Sequence, residues 1–134
     1  MKKILFVSLC TLFIGCDTGT SDALIIHQES PIETYYKEQT SDVQVYVIGE
    51  VIKLLPDDLK GSRHQKFIIK LETGATLLIV HNIDLADRVA PLQEGDFVEV
   101  YGEYEWNEKG GLVHWTHYDP QGRHPDGWIR LIRN

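Results

Sequence analysis

The chain has 134 residues, with 43% hydrophobic and 25% charged content. That is the composition of one globular domain rather than a disordered chain. Thirteen Lys and Arg stand against twenty Asp and Glu, a formal charge of −7, which argues against nonspecific nucleic-acid binding, where phosphate contacts need a basic face. No run reaches the ~20 apolar residues that cross a bilayer as a helix, and the sequence holds no phosphate loop, dinucleotide fingerprint or Cys-x-x-Cys pair.

The amino-terminal end reads as an export signal. Met1-Lys2-Lys3 is basic, residues 4–14 are apolar, Gly15-Cys16 follow, and the chain turns polar at Asp17. Phe13-Ile14-Gly15-Cys16 resembles the bacterial lipobox, which implies cleavage before Cys16 and lipidation of that cysteine. Residues 1–15 are then a lipoprotein signal peptide. The expected address is the bacterial cell envelope, with Cys16 as the membrane anchor; the alternative is a plain signal peptide and a periplasmic or secreted protein. Cleavage leaves 119 residues and, without Lys2 and Lys3, a charge of −9. Each buried acyl CH₂ contributes about 0.8 kcal/mol, so a multiply acylated cysteine holds a protein on a membrane without a spanning helix. Cys10 leaves with the signal, so the mature domain has no thiol for a disulfide or a thiolate metal site.

Residues 16–30 are small, acidic and polar and read as a flexible tether. Residues 31–39 suit a short helix, with Ser30 as N-cap and Pro31 in the first turn. From Asp42 the periodicity becomes that of strands. Val43, Val45 and Val47 alternate with Gln44, Tyr46 and Ile48, and Gly49 marks a bend before the run continues to Leu55. Pro56-Asp57-Asp58 reads as a loop. A second strand covers residues 64–72 and turns at Thr73-Gly74 into a third at 75–81. Residues 83–92 read as a short helix capped by Asn82 or Asp84. A fourth strand spans 97–106, a fifth follows the Gly110-Gly111 loop over 112–117, and residues 127–132 suit a last short strand. Three strands, a helix, then two strands is the order of the OB-fold. The expectation is a mainly β, five- to six-stranded OB-like barrel over residues 31–134, with one short helix between strands three and four and a His-rich carboxy-terminal segment.

Three of the six histidines fall in that segment, at His114, His117 and His124. Imidazole and carboxylate suit zinc-type divalent ions, so His114, His117, Asp119 and His124 form a candidate ligand set. Arg63, His64, His81, Asn82, Glu105, Trp115 and Asp126 are possible neighbours, with Glu105 or Asp126 as base for a metal-bound water. Positions 114 and 117 face opposite ways on an extended strand, so both reach one ion only if the strand ends or bulges near Thr116. The structural alternative has the histidines cap strand ends, with Trp115 and Trp128 as core plugs. Tyr46, Phe97, Tyr101 and Trp106 suggest an aromatic outer face, where Glu50, Glu99, Glu103 and Glu105 would repel a polyanion but suit a sugar, a cationic peptide or a protein.

The strings Gly102-Glu103-Tyr104-Glu105-Trp106-Asn107, Gly110-Gly111, His114-Trp115-Thr116-His117-x-Asp119-Pro120, Arg63-His64-Gln65 and His81-Asn82-Ile83-Asp84 resemble an uncharacterised bacterial domain-of-unknown-function family, number 3465. The resemblance covers about residues 43–132 and implies small exported or lipid-anchored bacterial proteins, without a known activity. Two functions follow from the residues: a non-catalytic envelope lipoprotein that binds a small ligand or protein partner, or a metal-dependent hydrolase built on the His/Asp cluster.

Overall fold

A computed structural model describes residues 28–133. The expected signal peptide, Cys16 and the expected tether up to residue 27 lie outside the described residues. Six strands follow one short helix: α1 (Ile32–Lys37), β1 (Val43–Asp58), β2 (His64–Lys70), β3 (Thr76–Asn82), β4 (Phe97–Glu105), β5 (Leu112–His114) and β6 (Trp128–Ile132). They form one sheet in the order β1-β2-β3-β5-β4-β6, and an additional β1–β4 pairing closes five of them into a ring. β3 and β5 run parallel, and every other pair is antiparallel. This is the expected OB-like barrel.

The alternation read from the sequence sets the inside and the outside. Val45, Val47, Phe67, Ile69, Leu77, Ile79, Val98, Val100, Tyr104 and Val113 are buried in one core. The intervening residues of β1 and β4, among them Gln44, Glu99, Tyr101, Glu103 and Glu105, make the outer face and, apart from the buried Tyr46, are partly buried or exposed. β1 bends where expected. It pairs with β4 from Val43 to Glu50 and with β2 from Glu50 onward, and its register slips between Val51 and Lys53. The strand also runs on through Pro56 to Asp58 instead of ending in a loop, because a second slip between Leu55 and Asp58 falls where Pro56 has no N–H to offer a ladder.

Two further local expectations are corrected. The helix lies before β1, and residues 83–92 form a turn at 83–85 followed by irregular chain. Asn82 does start a helical turn, its Oδ1 accepting the N–H groups of Asp84 and Leu85. Propagation stops because side chains of the barrel take the next backbone groups: Val89 N–H goes to Gln65 Oε1 at 2.9 Å, Gln65 Nε2 donates to Val89 O, and His81 Nε2 meets Asp87 O. The second correction concerns Ser30. Pro31, not Ser30, occupies the N-cap of α1, without a side-chain cap bond. Ser30 instead pairs with Tyr46, N–H to carbonyl in one direction and backbone N–H to Oγ in the other. Glu29 likewise accepts the Ile48 N–H, so the chain entering the domain is docked along β1.

Candidate functional site

β5 and β6 lie along the same edge of β4, as two halves of one interrupted strand. Glu103 faces His114, whereas Tyr101 faces Trp128; an unbroken strand would put Thr116 there, so twelve residues are looped out. The His-rich segment is this excursion. It leaves through Trp115, whose φ of 51° lies in the left-handed region that costs a non-glycine residue energy. It returns at Gly127, whose N–H donates to His117 O at 3.0 Å. Gly102 lies in β4 opposite the break, and the crossing is so tight that a Cβ on Gly102 or Gly127 would overlap the carbonyl oxygens of His114 and Trp115, respectively.

Glu103, Glu105 and His114 project together from the outer face beside this excursion. Two residues apart on one strand, the two glutamates share a face, and the β4–β5 register adds His114 to it. One ligand atom from each lies within 4.8 Å of the others, the one such His, Cys, Asp or Glu group among the described residues. His114 Nε2 is 3.5 Å from Glu105 Oε1 and 3.7 Å from Glu103 Oε1. Those separations exceed hydrogen-bond length, and this solvent-shielded nitrogen has no hydrogen-bond partner. Burial pulls the His114 imidazole below its ordinary value, against the pull of Glu103 in the other direction. Burial and the adjoining carboxyls of Asp42 and Glu103 push Glu105 up to about 7. The site is a crowd of acids around an unsatisfied imidazole nitrogen.

His124 joins from the far side of the excursion. Its Nδ1 is 2.9 Å from Glu103 Oε2, and its ring stacks on Trp115 at 3.8 Å. His117 and Asp119 do not converge on this site. The His117 ring is buried at the root of the excursion, Nδ1 donating to Tyr118 O at 2.6 Å. Asp119 is 2% exposed and accepts the backbone N–H groups of Gln121, Arg123 and His124, so its oxygens organise the loop. These bonds hold its carboxyl below the usual range. Asp126 Oδ1 accepts the Asp119 N–H, which turns this candidate base into the loop as well.

The remaining candidates hold the β3–β4 connection. Arg63 pairs with Asp84 through both backbone and guanidinium, and Asn82 caps the turn. His64 and His81 do lie at one end of the β2–β3 hairpin, where His64 faces Asn82 and His81 faces Gln65. His81 is buried between Asp87 O and Thr116 Oγ1. His81, Thr116, His117 and Trp128 line an open cleft of about 420 Å³ beside residues 86–90. Trp115 and Trp128 are half-buried on the outer face and not core plugs. Trp128 packs between Tyr46 and Tyr101, at 6.0 and 5.9 Å, with the Arg130 guanidinium 4.0 Å above its ring. Tyr46 donates to Glu99 at 2.8 Å, and burial with that carboxylate pushes its hydroxyl up to about 12, so it acts as a phenol donor.

Glu103 is the ligand candidate that sequence reasoning missed. Its signal was the Glu-x-Glu pair on the strand before the Asn107–Gly111 loop: closing that loop as a hairpin sets both acids beside His114.

These features define a small closed β-barrel of OB-like order whose last strand is interrupted by a histidine-bearing loop over an acidic outer face. The model of a family described as a protein of unknown function, DUF3465, matches residues 16–134, and the chain belongs to that family. A search of curated proteins found no match.

Proposed function

We propose that this chain is a lipid-anchored protein of the bacterial cell envelope whose barrel is a non-catalytic binding module. Its ligand or partner, cationic or rich in hydroxyls, docks on the outer face of β1, β4 and the interrupted last strand. One observation carries this reading: Glu103, Glu105 and His114 share a face with the Tyr46–Tyr101–Trp128 aromatic cluster. Carboxylates repel polyanions and attract cations, while aromatic faces accept the apolar side of a sugar or a cationic group. For the anchor, the support is the Phe13–Cys16 motif and a family match whose span starts at Cys16. The hydrolase reading has less support, because Glu105 stands among the potential ligands and Asp126 points into its own loop.

The test has two arms. Cys16→Ser is expected to release the protein from the membrane fraction, and continued membrane association of that variant would reject the lipid anchor. In the second arm, neutral oligosaccharides and Lys-rich peptides are screened by calorimetry against the full chain and against Glu103→Gln. Binding by the parent that weakens in the variant supports the module, whereas silence toward both ligand classes rejects it.

A further inference from the structure

We propose that Glu103, Glu105 and His114 bind a zinc-class divalent cation, with His124 as the residue that positions Glu103. This names a ligand for the acidic face and rests on reading that face as a binding surface.

The geometry carries the inference. Around a tetrahedral zinc with bonds of ~2.0–2.1 Å, neighbouring donor atoms stand about 3.3 Å apart. His114 Nε2 stands 3.5 Å from one carboxylate oxygen and 3.7 Å from another. These distances are too long for hydrogen bonds and close to what two ligands of one ion show. His114 Nε2 is also shielded from solvent without a hydrogen-bond partner. A shielded polar atom without a partner is destabilising, and a metal bond would satisfy it. An ion between the carboxylates would also replace their mutual repulsion by attraction. The donor set favours zinc over calcium or magnesium, which take oxygen donors almost alone.

Three protein ligands leave a fourth position for water or for a group on the docked partner, as in open zinc sites. His124 completes the arrangement from behind. Its bond to Glu103 Oε2 leaves Oε1 as the oxygen that points toward His114, and the Trp115 stack holds the ring in place. Ligand-orienting partners of this kind change metal affinity by about 10- to 100-fold when removed.

The experiment is metal analysis of the full chain, purified in detergent without chelator, followed by zinc titration of the stripped protein at pH 8 by calorimetry and thermal melting. The expected result is about one zinc per chain, a melting temperature raised by zinc and not by calcium, and loss of both in His114→Ala. Glu105→Gln guards against a variant that simply misfolds. It keeps the shape and removes a repelling charge, so the metal-free protein should melt no lower than the parent while zinc binds at least tenfold more weakly. His124→Ala should weaken zinc by roughly tenfold or more, and His64→Ala should leave it unchanged. A parent that neither carries nor binds zinc overturns the proposal, as does a His114→Ala protein that keeps its zinc. If zinc fails while the Glu103-dependent binding of a peptide or sugar persists, only the ion is wrong. If both fail, the binding face falls with it.

Discussion

His124 and Trp115 lie face to face across the mouth of the excursion, with ring centroids 3.8 Å apart and planes at 17°. One residue opens the loop and the other nearly closes it, so the stack acts as a clasp, and the His124–Glu103 bond fixes it to β4. His124→Ala removes the stack and the bond. Each contributes about 1 kcal/mol, so a loss of about 1–2 kcal/mol is expected in denaturant unfolding. Amide exchange should quicken over residues 115–127 while the protection of β1 to β4 stays near the parent's. Equal loosening of barrel and loop would show that the clasp is not local.

The mouth of the loop has no room for a side chain. Gly127 →Ala would drive a methyl group into the Trp115 carbonyl and against the Tyr101 carbonyl 2.7 Å away. Backbone atoms cannot rotate out of the way as a side-chain tip does, so the two halves of the last strand must separate. Overpacking of this kind costs about 1–3 kcal/mol. The expected signature is loss of protection in β6, whose pairing with β4 begins at Trp128. Wild-type protection of β6 in this variant would contradict the crowding.

Most of the barrel was legible because its strands alternate. The Val43-x-Val45-x-Val47 run and the Val98-x-Val100 run face the core as two-residue periodicity requires, and Gly49 marks the bend. What escaped was set by partners distant in sequence. Nothing local in residues 83–92 says that Gln65 and His81 will take the backbone groups of Val89 and Asp87, so a good cap at Asn82 suggested a helix that the barrel interrupts. The site was half legible for the same reason. A cluster of histidines close in sequence looks like a ligand set, yet the register separates them: His114 faces Glu103, whereas His117 is looped out and turned to Tyr118.

Gln65 is 6% exposed, and its amide makes both bonds to Val89. Gln65→Leu keeps the volume but leaves the Val89 N–H and C=O unpaired. A fully buried unsatisfied group costs about 1–3 kcal/mol; the two Val89 groups are only part-buried, so a total loss of about 2–4 kcal/mol is expected, with faster proteolysis over residues 83–96. A variant as stable and as resistant as the parent would mean that water replaces the amide at no cost.

Acid should weaken the fold in two steps. His81 is 4% exposed, and burial pulls its imidazole below 6.5; its bond to Asp87 O opposes this, while His117, His64 and Arg88 nearby add to it. Below pH 6.5 the unfolded chain therefore takes a proton that the fold resists. Stability falls as pH drops from about 7 through this window and levels off below the folded value. Asp119, held below 3.8 by its backbone bonds, has the same sign at lower pH: its contribution is present above 3.8 and is lost as pH falls through the folded value. Glu105, raised from 4.5 to about 7, acts the other way, its cost growing as pH rises from 4.5 toward 7. The His81 step is thus read by difference, from urea unfolding of the parent and of His81→Gln at pH 5, 6, 7 and 8. His81→Gln should be less stable at pH 8, where the neutral imidazole is intact, and the gap should narrow toward pH 5, by up to about 1.4 kcal/mol per pH unit. A gap that stays constant, or widens in acid, would show that the buried imidazole accepts a proton at least as readily as the unfolded chain does.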